Sequence, residues 1–225
     1  MYVRIKRVAD ASVAAIFLVL FIIPGAIIAL IIRLDSKGPV IFKQQRSGKD
    51  KKPFFIYKFR TMTTDAPKNS PTNDLKDSAS FITPIGKVMR KLSIDELPQL
   101  VNVLKGDMSI VGPRPVILNE VELLAERDKY NANSCTPGIT GWAQANGRDE
   151  VDIYEKARMD GEYRDKFGVL MDFYCLVKTT ETIVFAKGFK EGSRAAPAGG
   201  YTLASNIATQ NSIPTSSYVN ATTIQ

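Results

Sequence analysis

Ala11 to Ile32 is a run of 22 residues without a single charge, and it restricts this chain more than any other feature. The run opens ASVAAIFLVLFIIPG and closes AIIALII. About 20 apolar residues cross the hydrocarbon core of a bilayer, so the segment is long enough to span one. It is longer than the apolar core of a secretory leader, and the following RLDSKGPV is not a small-residue cleavage site. Arg4, Lys6 and Arg7 precede the run, while Arg33, Lys37, Lys43, Arg46, Lys49, Lys51 and Lys52 follow it. Both flanks therefore carry the cytoplasmic sign of the positive-inside rule. Pro24 sits inside the run, lacks a backbone donor and clashes with the preceding turn. A straight span and a helix that enters, breaks at Pro24-Gly25 and returns to the same face both remain open. In the second case the arms of about 13 and 8 residues reach only ~20 Å and ~12 Å, short of a ~30 Å core.

Charge follows the same division. The whole chain of 225 residues has Lys+Arg 30 and Asp+Glu 23, a formal charge of +7. Residues 1–60 hold 12 basic and 3 acidic residues; the remaining 18 and 20 make residues 61–225 slightly acidic. The basic excess thus borders the apolar run, as expected of contact with an anionic membrane surface rather than nucleic acid. The chain contains no histidine, which excludes Ser-His-Asp and Cys-His catalysts and an imidazole base. Acid–base or nucleophilic chemistry falls chiefly to carboxylates. Two cysteines, Cys135 and Cys175, are too few for a disulfide framework.

Beyond the apolar run, GPVIFKQQRSG and KPFFIYKFRTM have the β-branched and aromatic content of two strands joined by the turn-like GKDKK, which predicts a hairpin. Residues 64–80 read as a polar loop. Thr83 and Pro84 suit the N-cap and first position of an amphipathic helix, with Ile85, Val88, Met89 and Leu92 on one face. Ser93 opens a second helix that stops at Gly106. Further helices are expected near 118–129, 152–164 and 169–187, with VGPRP, TPGITG and ANGR as loops. Residues 191–225, poor in charge and rich in Ser, Thr, Asn and Ala, read as a disordered tail.

Asp95-Glu96 is the most informative local pair. Ser93 and Glu96 match an S-x-x-E capping box, and acidic residues suit a helix's first turn, so stability alone accounts for both. The same placement keeps a carboxylate ionised as a nucleophile or a magnesium ligand. Lys58, Arg60, Arg90, Arg114 between two prolines, and Arg148 after Asn-Gly supply cations suited to phosphate. An acidic pair among such cations, beside a membrane segment and without histidine, points to a phosphate-bearing substrate handled with a divalent metal.

KFRTM at 58–62, MRKLSIDELPQLVNVLKGDMSIVGPRP at 89–115 and PGITGWAQANGR at 137–148 together resemble the bacterial sugar transferases, the monotopic phosphoglycosyl transferases. The likeness runs from about Arg4 to Lys187 and looks like the minimal form of the family. It implies an α+β, mostly helical fold: a re-entrant membrane helix (1–35), a short β-hairpin within a cytoplasmic catalytic domain of short helices and loops (36–190), and the tail (191–225). It implies transfer of a sugar 1-phosphate from a UDP-sugar to polyprenyl phosphate at the cytoplasmic membrane, with Mg2+ and with downstream glycosyltransferases as partners. Asp95 would be the nucleophile and principal metal ligand, and Glu96 would complete the dyad. Arg90 and Arg114 would clamp phosphate oxygens, and Lys58, Arg60, Gln144, Asn146 and Arg148 would contact nucleotide and diphosphate. Two departures bear on this: Ile23 rather than Ser precedes the kink proline, and Thr136 rather than Arg precedes Pro137. A membrane-anchored basic binder without enzymatic activity would need only residues 1–60, and the DELPQ to GPRP stretch would then have no purpose.

Overall fold

The computed structural model describes residues 1–67, 78–147 and 151–184; Arg148, most of the 64–80 loop and the C-terminal tail lie outside them. The apolar run forms two helices, α1 (Tyr2–Leu20) and α2 (Ile22–Asp35), bent by 63° at Phe21. The break falls three residues before Pro24, which corrects the expected position. A proline ring clashes with the carbonyl four residues earlier, here Leu20, the last residue of α1. Pro24 itself lies in the first turn of α2, where a missing N–H costs no helical bond. The arms are also longer than expected, because α1 begins at Tyr2 rather than at the first apolar residue.

Both arms are tied to one body. Lys6 Nζ pairs with Asp172 at 2.7 Å and Asp10 at 3.4 Å, and Tyr2 donates its hydroxyl to Asp172 at 2.5 Å. Arg7 donates to the Val103 and Leu104 carbonyls, both at 2.7 Å, where a helix end leaves acceptors free. Asp10 of α1, buried, accepts from Ser109 Oγ at 2.6 Å. At the far end of α2, Arg60 donates to the carbonyls of Ile32, Ser36 and Lys37 and to Ser36 Oγ. Between these anchors Phe17, Val19, Leu20, Ile22, Ile23, Ile27 and Leu30 are exposed.

The predicted hairpin is present as β1 (Ile41–Ser47) and β2 (Pro53–Phe59), antiparallel from Ile41 opposite Phe59 to Ser47 opposite Pro53. The two helical arms pack on it separately. Ala14 of α1 joins Ile56, Val103 and Met108 in one apolar cluster, and Ile32 of α2 joins Phe59 and Met89 in another. A short helix α3 (Ser78–Phe81) precedes α4 (Pro84–Lys91), where Thr83 Oγ1 accepts from Gly86 N at 3.1 Å as its N-cap.

The capping box at Ser93 does not form. Ser93 adopts a left-handed conformation (φ 56°) rather than the extended one usual for an N-cap, and its side chain makes no capping hydrogen bond. Residues Ile94–Gln99 form a 3-10 turn, and only Leu100–Lys105 is α-helical (α5). Two segments read as loops contain instead a short parallel pair, β3 (Ser109–Val111) and β4 (Gly138–Thr140). Three-residue strands carry too little pattern for sequence to register, and here glycine permits the approach. A Cβ on Gly138 would lie 2.1 Å from Gly112 N. Helices α6 (Val121–Lys129), α7 (Trp142–Ala145), α8 (Ile153–Asp165) and α9 (Val169–Val184) complete the body.

One buried ion pair joins α6 to α8. Arg127 meets Asp160 through Nε at 2.8 Å and Nη2 at 2.5 Å, with Asp160 1% exposed. Removing one partner leaves the other as an uncompensated buried charge, so Asp160→Asn is expected to lose about 3 kcal/mol of stability. Thermal unfolding of the purified protein measures this, and an unchanged midpoint would contradict it.

Candidate active site

The acidic pair sits where three stretches meet. Strand β2 brings Lys58, the 3-10 turn after α4 brings Asp95 and Glu96, and the segment after β3 brings Arg114. Lys58 Nζ lies 2.6 Å from Glu96 Oε1, and the Arg114 guanidinium approaches the same oxygen at 3.4 and 3.5 Å. Burial opposes ionisation of Glu96, yet the Lys58 charge, and after it Arg114, outweighs that and holds the carboxyl down to about 2. Glu96 is therefore a fixed anion that orients two cations.

Asp95 has the opposite environment. It is 8% exposed, and among the described residues its carboxylate has no hydrogen-bond donor and no ion-pair partner. Burial raises its pKa first; Lys58 counteracts this, Glu96 adds to it, and Arg90 and Arg114 again oppose it. Neighbouring carboxylates thus divide into one saturated with cations and one left bare. A carboxylate that is desolvated and unbonded has its lone pairs available, which is the condition for a nucleophile or a metal ligand.

No group of three or more His, Cys, Asp or Glu among the described residues could hold a metal alone. Magnesium commonly takes one or two carboxylates and fills its remaining positions with water and substrate phosphate. The bare Asp95 carboxylate beside Glu96 fits that requirement, and its missing donors are what a cation would replace.

The other expected site residues separate into two groups. Arg90 Nε donates to Thr61 Oγ1 at 2.9 Å, and its charge reaches Asp95, so it stands with Lys58 and Arg114 around the pair. Arg60 is buried and its guanidinium is committed to the end of α2. Gln144 on α7 donates to the Ile139 carbonyl of β4 at 2.9 Å, and Asn146, at the end of α7, donates to the Trp142 carbonyl at 2.8 Å. Arg148 lies outside the described residues.

Sequence reasoning passed over Arg46. It leaves β1 on the same face as Gln44, and Gln44 Oε1 accepts from its Nε and Nη2 at 3.0 and 2.7 Å. Its Nη1 donates to the Pro115 carbonyl at 3.2 Å. The signal was the Gln44-x-Arg46 alternation in a strand that also holds Lys43, Gln45 and Ser47, which reads as an ordinary solvated face.

The chain belongs to the bacterial sugar transferase family, which it matches over residues 1–186. It is 40% identical over 187 residues to the uncharacterized sugar transferase EpsL of Bacillus subtilis, covering 83% of this chain and 91% of that protein. It is 40% identical over 200 residues to the UDP-glucose:undecaprenyl-phosphate glucose-1-phosphate transferase of Escherichia coli, covering 82% of this chain and 40% of that protein. It is 38% identical over 192 residues to the UDP-N-acetylgalactosamine-undecaprenyl-phosphate N-acetylgalactosaminephosphotransferase of Aeromonas hydrophila, covering 83% and 45%. The chain thus spans less than half the length of these last two relatives.

The charge balance at Glu96 gives a direct expectation. Lys58→Met removes the nearest cation but leaves the burial, so the Glu96 pKa rises from its depressed value. The acid limb of the activity profile is expected to move up by at least ~1 pH unit. A pH–rate profile that keeps its acid limb in place would show that Lys58 does not set the charge of Glu96.

Proposed function

We propose that this protein transfers a sugar 1-phosphate from a UDP-sugar to polyprenyl phosphate, releasing UMP and beginning a glycan at the cytoplasmic face of the bacterial inner membrane. The observation that carries the reading is the bare Asp95 carboxylate next to the cation-bound Glu96. The Escherichia coli and Aeromonas hydrophila relatives are named for transfers of this kind.

In the first half-reaction an Asp95 oxygen attacks the phosphorus that bears the sugar. The bond from that phosphorus to the UMP oxygen breaks, and the phosphosugar remains on Asp95 as an acyl-phosphate. In the second, a phosphate oxygen of the polyprenyl acceptor attacks the same phosphorus, the bond to Asp95 breaks, and the carboxylate is restored. Arg114 and Arg90 stand where the charge on non-bridging oxygens is to be balanced. Glu96 keeps Lys58 and Arg114 in place and itself stays ionised. Magnesium held through Asp95 with Glu96 beside it would supply Lewis-acid neutralisation of the same phosphate charge.

The membrane arms complete the reading. The first turns of α1 and the end of α2 are bonded to the same body, while the residues between them are apolar and exposed around the bend. Among the described residues no single helix is long and apolar enough to cross a membrane, and only the bent pair α1 and α2 together has that length and composition. These features support a re-entrant insertion in which both basic flanks stay on the cytoplasmic side, bringing the site to a lipid-borne acceptor.

Radiolabel transfer from a panel of UDP-sugars to polyprenyl phosphate tests the activity, and failure with every donor would reject it. Asp95→Asn keeps the size of the side chain but is a poor nucleophile. It is expected to lower transfer at least ~1000-fold with folding and membrane association intact; retained turnover would remove Asp95 from the role. Chelation is expected to stop the reaction and added magnesium to restore it, whereas activity after exhaustive chelation would reject the metal.

Topology has its own measurement. Single cysteines at Tyr2 and Ser36, in a background lacking Cys135 and Cys175, are expected to be equally shielded from an impermeant thiol reagent in intact cells. Labelling at Tyr2 alone would establish a spanning helix.

A further inference from the structure

The backbone that carries Arg114 is held by two other arginines. Arg127 Nη1 donates to the Arg114 carbonyl at 3.0 Å, and Arg46 Nη1 donates to the next carbonyl, that of Pro115, at 3.2 Å. Ser47 N then donates to the Val116 carbonyl at 2.9 Å, so the end of β1 secures this segment over consecutive residues. The two guanidinium groups differ in how their charge is met. Arg127 is neutralised by Asp160, whereas among the described residues Arg46 forms no ion pair and is bonded only to an amide oxygen and a carbonyl. Burial, then the Arg114 charge, lowers its pKa to about 10, against the opposing charges of Glu120 and Glu96.

Retaining a cation in that position is costly. Burial opposes it, and so does the like charge of Arg114. A neutral donor could hold the Pro115 carbonyl without either penalty. The excess is understandable where a multiply charged anion docks, because Lys58, Arg90 and Arg114 already share the charges of Asp95 and Glu96.

We propose that Arg46 is a positioning residue for diphosphate recognition: it fixes the Arg114–Pro115 backbone from β1 and acts through Arg114. This rests on the transferase reading above and adds to it the residue that sets the diphosphate-facing loop.

The experiment uses the full chain in lipid nanodiscs, with UDP as the binding probe and a turned-over UDP-sugar as substrate. Arg46→Lys keeps a positive charge but loses the planar fork that bonds Gln44 and Pro115 together. It is expected to raise KM for the UDP-sugar about tenfold with kcat within about twofold, and to lose most of the thermal shift given by UDP. Arg46→Met is expected to show a larger rise in the same parameter. The double variant Arg46→Lys with Arg114→Lys is expected to cost little more than the worse single change, because both act at one loop. An unchanged KM and UDP shift in Arg46→Lys would overturn the proposal, and so would penalties that multiply. If Arg46→Met fails to fold, Arg46→Lys and the double variant still decide. Wild-type turnover judges the transferase reading; the ratio of variant to wild type judges Arg46.

Discussion

Glu96 is a carboxylate taken out of water and surrounded by cations, and three remote parts of the chain must meet to supply them. Lys58 arrives on a strand, Glu96 on a 3-10 turn and Arg114 on the segment after a two-strand parallel pair. The burial that would neutralise Glu96 is overcome by their charge, so the anion exists only when the strand and the loop are in place. Asp95 depends on that arrangement. With Lys58 and Arg114 engaged by Glu96, its own carboxylate is without donors among the described residues, in a buried position. That division between the two carboxylates is what the proposed nucleophile rests on.

Much of the scaffold serves to hold the same geometry. The left-handed Ser93, a conformation costly for a residue with a Cβ, turns the chain between α4 and the acidic pair. Glycines 112 and 138 allow β3 and β4 to approach closely enough to fix the start of the Arg114 segment. Arg127 and Arg46 then hold its carbonyls. Ala14 of α1 and Ile32 of α2 also share apolar clusters with Ile56 and Phe59 of β2, the strand that carries Lys58.

The acidic pair and the cations Lys58, Arg90 and Arg114 were legible in the sequence because chemistry of that kind leaves a compositional mark: adjacent carboxylates, rigid arginines and no histidine. The hairpin and the Thr83 cap were legible because each is encoded locally. Other features depend on contacts distant in sequence. Ser93 fits a capping box by type and spacing, but its backbone is left-handed and its side chain makes no capping bond. Both terminal nitrogens of Arg60 donate to carbonyls at the end of α2, a contact its local sequence does not signal. The bend lies at Phe21 because a proline's clash acts four residues upstream of the residue that causes it. Arg46 was hidden because a polar residue on a strand normally needs no explanation.

The central claim is that Asp95 carries the phosphosugar. Incubating the full chain with a UDP-sugar that it turns over, without acceptor, and mapping the modified peptide by mass spectrometry tests it most directly. The account predicts a sugar phosphate adduct on Asp95, released when polyprenyl phosphate is added and absent from Asp95→Asn. An adduct on Glu96 or elsewhere, or full transfer with no adduct at any stage, would contradict it.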